Sequence, residues 1–353
     1  MVASCDFPFA VITRSVVRLP HPVYCLGKAA RGRDHRIRGS RAERGCRKAV
    51  INQKEPASVS AVVVTFHTGD VLFDCLTALL EQAEICDVVV VDNGNDRATQ
   101  ARLEALAAAV PRFTVLRSGA NLGFSRACNL GGRHARGEYI ALVNPDLIVS
   151  DGTFAAILSA LDAHPDAWLA GGRLLDPDGS EQRGGRRDVL TPWRAVAELL
   201  RLAKLFPGHP HFRRFNLDQS PPVTGVEAVP TVSGAFMVLP RKRWETLEGM
   251  DEGMFLHLED ADICLRILNA GGQVLYCGNA PVYHYRSTSD VPRLWIEWHK
   301  TLSSGYYFKK HFSAAYPGWA LAGIRMALWL RFLLLAVSLV PQAAAWLWGR
   351  SAR

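Results

Sequence analysis

From Ser58 onward, short apolar runs alternate with apolar residues at helical spacing. Val59–Phe66 is a β-branched run and predicts a buried strand. Across residues 70–83, Val71, Leu72, Cys75, Leu76, Leu79 and Leu80 recur as one helical face. Asp87–Val91 is a second apolar strand, closed by the turn Asp92-Asn93-Gly94. An Ala-rich helix over 97–109 and a third strand, Phe113–Leu116, come next. Asn121-Leu122-Gly123-Phe124 opens a helix to about Arg136, and the strand Tyr139–Val143 stops at Asn144-Pro145-Asp146. This alternation with short connections predicts an α/β fold with a mostly parallel, helix-covered sheet. Ligands in such sheets sit beyond the carboxyl ends of the strands, where Asp92 and Asp146 fall.

The second half is less regular. A helix is expected over Thr153–Ala163, a long Gly/Asp/Arg-rich loop over 171–188, and a helix over 191–206. Residues 207–226 hold four Pro and read as a mobile segment. Val229–Leu239 reads as a strand pair or bent strand around Ser233-Gly234-Ala235. A helix over 259–270 and strands over Gln273–Tyr276 and Pro281–His284 close this region. Residues 294–312 mix Trp295, Trp298, Tyr306, Tyr307 and Phe308 with Lys300, Lys309, Lys310 and His311, a pattern that suits a membrane interface. Residues 319–348 are apolar but interrupted by Arg325, Arg331 and Pro341. The interruptions favour an interfacial or half-inserted helical hairpin over a true span.

Charge divides the chain. Residues 1–50 carry 11 Lys or Arg against 3 Asp or Glu, a surplus equal to the +8 of all 353 residues. The remainder is near neutral, so no basic nucleic-acid groove is expected on the folded part. The organisation that follows is a basic disordered extension over 1–55, a catalytic domain over 56–290 and a membrane-associating helical region over 291–353. An alternative for the extension is a true start downstream, near Val50 or Val59. The eight Cys form no CxxC pair, so neither a zinc site nor a disulfide framework is indicated; buried free thiols in a reducing cytoplasm are expected.

Several runs together resemble the family 2 glycosyltransferases, specifically their rhamnosyltransferase-like branch. They are Val62–Phe66, Val90-Val91-Asp92-Asn93-Gly94, Asn121–Asn129, Asn144-Pro145-Asp146, Ser233–Met237, Gly249-Met250-Asp251-Glu252, Phe255–Arg266 and Val282-Tyr283-His284. The resemblance covers about residues 58–312. It implies a GT-A fold, a Rossmann-like sheet with helices on both faces, followed here by membrane-associated helices. It further implies a nucleotide-diphosphate sugar donor, a divalent cation (Mg²⁺ or Mn²⁺) and inversion at the anomeric carbon. Rhamnose from dTDP-rhamnose is the implied donor sugar, with galactofuranose, glucose, N-acetylglucosamine and mannose as open alternatives. The C-terminal apolar, aromatic and cationic stretch suggests as acceptor a glycan or polyprenyl-linked glycan at the cytoplasmic face of the cell membrane, in cell-wall or surface-polysaccharide assembly.

Each implied role has a physical basis. Asp92 can accept hydrogen bonds from a base or ribose, and Thr65 ends the first strand beside it; Asn121, Asn129, Asn144 and Asp146 complete the expected donor site. Many relatives carry Asp-x-Asp where this chain has Asn144-Pro145-Asp146. Asn keeps a carbonyl ligand but loses a charge, so the donor diphosphate must supply ligands. His284 matches a histidine that completes the metal site with Asp146 in some relatives. By the resemblance, the second acid of Glu259-Asp260 is the general base. Glu259 and Asp262 are expected to raise the pKa of Asp260 by like charge. Glu259, Arg266, Ser233 and Gly234 are the expected acceptor contacts. Two other readings are a membrane-tethered scaffold without activity and a sugar-phosphate nucleotidylyltransferase. The second would need a Gly-rich phosphate loop where His67-Thr68-Gly69-Asp70 stands.

Overall fold

The computed structural model describes residues 58–285, 289 and 291–351, with side chains to Val340. The predicted extension over 1–55 lies outside the described residues. The first half alternates as β1 (Val59–Thr65), α1 (Val71–Leu80), β2 (Ile85–Asp92), α2 (Arg97–Ala109), β3 (Phe113–Arg117), α3 (Phe124–His134) and β4 (Tyr139–Val143). The chain continues through β5 (Leu147–Val149), α4 (Thr153–Ala163), β6 (Ala167–Leu175), β7 (Arg186–Arg187), α5 (Pro192–Leu199) and α6 (Leu202–Leu205). Then come β8 (Val226–Ala228), β9 (Thr231–Val232), β10 (Phe236–Pro240), α7 (Arg241–Thr246), α8 (Glu259–Asn269), β11 (Gln273–His284), α9 (Arg293–Phe312) and α10 (Gly318–Ser351).

The main sheet runs β3-β2-β1-β4-β10-β6-β11-β5, with β8 on β11. β3, β2, β1 and β4 are parallel. β10 then runs antiparallel to both β4 and β6, and β11 is parallel to β6 but antiparallel to β5. The sheet is therefore mixed rather than mostly parallel. Buried strands of either sense read as the same apolar run, which hid the reversal. Chain order switches direction between β1 and β4, so a crevice opens at their carboxyl ends. One core lies under α1, α2 and α4 and the other under α3, α7 and α8.

Three expected elements differ. The loop expected over 171–188 is partly strand, because β6 runs through Gly171 and Gly172. These glycines mark close approach: a Cβ on Gly171 would sit 2.8 Å from Val232 Cβ, and one on Gly172 2.7 Å from Ala280 O. The helix expected over 191–206 breaks at Arg201, which is left-handed (φ 54°). The apolar stretch 319–348 is a single helix that returns along α9, so the hairpin is α9 against α10.

Buried charge fixes α9 to α8. Asp262, fully buried in α8, accepts from Arg266 (2.8 Å), Lys310 (2.6 Å) and His311 (2.6 Å). Lys310 also reaches Asp251, and Glu297 holds Arg331 of α10 at 2.8 Å. Apolar packing of Met254, Ala261 and Leu265 on Tyr307, Phe308 and Phe312 surrounds these ties. Burial acts to raise the Asp262 pKa, but His311, Lys310 and Arg266 outweigh it and hold the carboxyl below its usual value.

Replacing Asp262 with Asn would take the buried counter-charge from Arg266, leave Lys310 with Asp251 alone and weaken the acceptor of His311. We expect a loss of about 3–5 kcal/mol in chemical denaturation. The wild-type contribution is present at neutral pH and is lost as pH falls through the depressed folded pKa; the variant should lack that acid-side decline.

Candidate active site

At the crevice, Asp92 ends β2 and its Oδ1 accepts from Gly94 N (3.1 Å), Asn95 N (2.9 Å) and Asn95 Nδ2 (2.8 Å). Thr65 Oγ1 lies 3.1 Å from Thr68 Oγ1, and Asn95 Oδ1 accepts from His67 N at 2.8 Å. Asn93 donates to Asn121 Oδ1 (2.8 Å) and accepts from Leu122 N (2.9 Å). The structure thus joins Thr65, Asp92 and Asn121 in one polar edge. Asn93, read as a turn residue, and Asn95, which the sequence did not single out, belong to that edge. Their signal was the density of short amides directly after a strand. Gly123 (φ +80°) lets this edge meet the loop before α8: a Cβ there would lie 2.5 Å from Phe255 O.

Asn129 stands apart from this edge. Its amide holds Met250 (2.8 and 2.9 Å) and Glu252 (3.0 Å), fixing the turn over 249–252 instead of presenting a donor contact. Arg266 is likewise turned inward, donating to Asp262, Leu247 O (2.6 Å) and Gly249 O (2.7 Å) rather than to an acceptor.

Asp146 follows β4 and His284 ends β11; antiparallel pairing of β5 with β11 brings them together. Asp146 Oδ1 and His284 Nε2 are 3.2 Å apart. Two ligands at right angles on a cation about 2.1 Å away would be about 3 Å apart, so the spacing fits a shared divalent ion. Gln182 Oε1 lies 2.7 Å from His284 Nδ1, and Gln182 also donates to Asp176 (2.8 Å). With a proton on Nδ1, this contact leaves the Nε2 lone pair toward Asp146, as a ligating histidine requires. Among the described residues no group of three His, Cys, Asp or Glu could hold a metal. Asp146 and His284 would therefore be a partial ligand set, with Asn144 half-buried beside them and the remaining ligands coming from substrate or water.

The Asn144 and Asp260 regions meet through one short segment. Asn144 N donates to Ala235 O (2.8 Å), and Gly234 N donates to Asp260 Oδ2 (3.0 Å). A Cβ on Gly234 would lie 3.1 Å from Asp260 Cβ, so the Ser233-Gly234-Ala235 turn needs the small residue. Asp260 Oδ2 also accepts from Arg187, and Oδ1 from Ala261 N (2.7 Å). Arg187 was not foreseen, because it lies in the stretch read as a loop; β7 pairs with β9 and brings it in, and it donates to Val232 O as well (3.0 Å).

Like-charge neighbours do not raise the Asp260 pKa as expected. Burial acts upward, but Arg187 and the backbone N–H groups of Gly234 and Ala261 prevail and hold it below the usual carboxylate value. Glu259 takes the opposite shift: burial first, and then the Asp260 charge, push it well up. Its Oε2 has no hydrogen-bond partner in the structure, and neither has buried His257 Nε2. Burial, and next Lys300, lower His257 to about 4. His257 and Leu258 are consecutive left-handed residues (φ 69° and 67°), each costing about 1–3 kcal/mol. Strain at the start of α8, beside orphaned polar atoms, is the pattern of a ligand-facing turn.

The description "Glycosyl transferase family 2" belongs to the family model that matches residues 60–218. An N-acetylglucosaminyl-diphospho-decaprenol L-rhamnosyltransferase of Mycobacterium tuberculosis is 28% identical over 250 residues, covering 65% of this chain and 76% of the relative. An O-antigen biosynthesis protein of Myxococcus xanthus is 26% identical over 237 residues, 65% of this chain but 17% of that protein. Among solved structures, GalNAc-T7 with UDP, GalNAc and Mn²⁺ aligns with a TM-score of 0.52 at 16% identity, covering 75% of this chain and 52% of that one. A mannosyltransferase of Pyrobaculum calidifontis with GDP-Man and Mn²⁺ aligns at 0.50 and 18%, covering 85% and 76%. These two likenesses carry the GT-A fold.

Removing the Arg187 charge as Arg187→Gln should raise the Asp260 pKa, since the ion pair is what offsets burial. Carboxylate ¹³C NMR titration of the two proteins reads the shift directly; an unmoved Asp260 titration would contradict the pairing.

Proposed function

We propose that the chain is a family 2 glycosyltransferase of the rhamnosyltransferase-like branch and that it moves a hexose, rhamnose from dTDP-rhamnose, onto a hydroxyl of a lipid-linked glycan, with inversion. The observation that carries this reading is the Ser233–Ala235 segment, which hydrogen-bonds the Asn144 backbone on one side and Asp260 on the other. Thr65, Asp92 and Asn121, with Asn93 and Asn95, would receive the nucleoside at the crevice edge. Asp146 and His284 would hold a divalent cation against the donor diphosphate, with Asn144 beside them. When bound, such a cation offsets charge on the departing diphosphate.

Asp260 would take the acceptor proton. Its depressed pKa keeps it ionised at neutral pH, and Arg187 with Gly234 N fixes the carboxylate's direction. A carboxylate this acidic accepts the proton late, when the attacking oxygen has become acidic through bond formation. Glu259, neutral at neutral pH by its raised pKa, would donate from its unpartnered oxygen to an acceptor hydroxyl. Ser233 and Gly234 would line the acceptor side.

Support for membrane association comes from α10. Trp319, Met326, Leu330, Leu333, Leu334, Val337 and Val340 are exposed. Helical spacing sets them on one outward face, opposite the side packed on the protein. A peripheral position at the inner face of the cell membrane fits this arrangement and a polyprenyl-linked acceptor.

Asp260→Asn should lower turnover by about 10²–10⁴-fold while donor affinity, measured by calorimetry, stays unchanged; near-normal turnover would refute its role as base. Gln182→Ala should weaken Mn²⁺-dependent donor binding by about 10–100-fold through loss of the His284 orienting contact. Equal donor affinity with and without Mn²⁺ in the wild type would remove the metal from the reading.

A further inference from the structure

A cleft of about 340 Å³ between α5, α9 and α10 lies outside the site above. Its walls are apolar, from Leu199 of α5, Phe308 of α9, and Ile324 and Leu328 of α10, while Lys300 and Arg331 line its polar side. Glu198 also borders it, but its carboxylate accepts from Phe215 N at 2.7 Å.

The polar side is strongly cationic. Arg293, Glu297 and Lys300 fall at i, i+4 and i+7 on α9 and share one face. Glu297 is engaged by Arg331 at 2.8 Å, and its carboxylate acts on Lys300 against the charges of Arg331, Arg293 and Arg183. The Lys300 side chain reaches solvent but stands in dense concave surroundings; burial first, and the three guanidinium charges, draw its pKa below the usual lysine value against the pull of Glu297.

This positive end adjoins the catalytic side. Arg183 follows Gln182, which contacts His284. His257 feels the charges of both Lys300 and Asp260. At the outer end, α5 and α6 expose Leu199, Leu200, Leu205 and Phe206, and α10 exposes its apolar face. Apolar surface thus flanks the mouth on both sides.

An apolar trough whose polar side carries Lys300 and Arg331, with Arg293 on the Lys300 face of α9, matches an amphiphile with a polyanionic head. A neutral lipid would leave the cations uncompensated, and a soluble sugar phosphate would not cover the apolar walls. We propose that this cleft binds the acceptor's polyprenyl diphosphate, with the hydrocarbon between α5 and α10 and the diphosphate on Lys300, Arg331 and Arg293. The lipid-linked sugar would then face Asp260. The proposal rests on the glycosyltransferase reading and adds residues to its acceptor side.

The test uses the full chain in detergent micelles and three probes: farnesyl diphosphate, farnesol and inorganic pyrophosphate. Farnesyl diphosphate should bind at least about tenfold more tightly than either other probe, and the double variant Lys300→Ala/Arg293→Ala should lose about tenfold or more of that affinity. Lys300→Arg should retain it. Both side chains are solvent-exposed, and an unchanged Tm would show that the double variant is folded. Unaltered farnesyl diphosphate affinity in the double variant would overturn the proposal. Pyrophosphate binding as tightly as the lipid would make the cluster a simple anion site, and farnesol binding as tightly would make the cleft a plain hydrocarbon site; either refutes it. Nucleotide-sugar binding should be equal in wild type and double variant, and its loss would assign these cations to the donor instead. Failure of the glycosyltransferase reading would show separately, as absence of donor binding and donor hydrolysis in the wild type.

Discussion

The stretch from Asp176 to Arg187 bears on both ends of the proposed reaction, and the geometry of the site depends on it. At one end Gln182 holds Asp176 and His284; at the other Arg187 holds Asp260 and the Val232 carbonyl. His284 reaches Asp146 through the β5–β11 pairing, and Asp260 reaches the Asn144 turn through Gly234. Hydrogen bonds and short runs of chain therefore connect Gln182, His284, Asp146, Gly234, Asp260 and Arg187. Displacing any one member moves Asp260 relative to Asp146. Such constellations need sub-ångström placement, which isolated loop residues do not supply.

The first turn of α8 shows how one acidic cluster divides into three kinds of work. Glu259, Asp260 and Asp262 all complement the helix N-terminus, yet their partners set them apart. Asp262 meets Arg266, Lys310 and His311 and serves as the anchor of α9. Asp260 meets one guanidinium and two backbone N–H groups and stays ionised at the crevice. Glu259 meets no cation directly and is buried, so neutrality is its favoured state. Helix-dipole attraction alone cannot distinguish them; local partners decide which charge survives burial.

Much of the sheet was legible because buried strands and amphipathic helices carry periodicity. The β1–β4 half, α8 and the strand-end positions of Asp92 and Asp146 follow from that signal. What stayed hidden was non-local. Arg187 and Gln182 lie in a Gly/Asp/Arg-rich stretch whose composition says loop, and only the β7–β9 pairing brings Arg187 to Asp260. Asn129 and Arg266 sit in recognisable motifs, yet their side chains brace the turn over 247–252. A motif marks a conserved-looking position in space without telling whether its side chain faces ligand or backbone. The pKa order of Glu259 and Asp260 was likewise unreadable, because it depends on a cation more than seventy residues away in the chain.

The arginines of the C-terminal stretch illustrate the same point from the opposite direction. In sequence they interrupt an apolar run and argue against a spanning helix. In space Arg331 faces α9 and closes on Glu297, while Trp298 packs edge-on against Trp329 and Phe332. The interruption is therefore an attachment point for the hairpin and leaves the outer face of α10 apolar. The Gly318–Val340 segment is long and apolar enough to cross a membrane by composition, and few of its residues are fully buried in the protein. Keeping the Glu297–Arg331 contact while crossing the bilayer would draw α9, with its Lys300, Lys309 and Lys310, into hydrocarbon, at a cost of several kcal/mol for the charged groups. A helix lying in the interface satisfies both its apolar outer face and its ion pair. It also leaves the cationic cleft open toward the depth at which a lipid diphosphate head group resides.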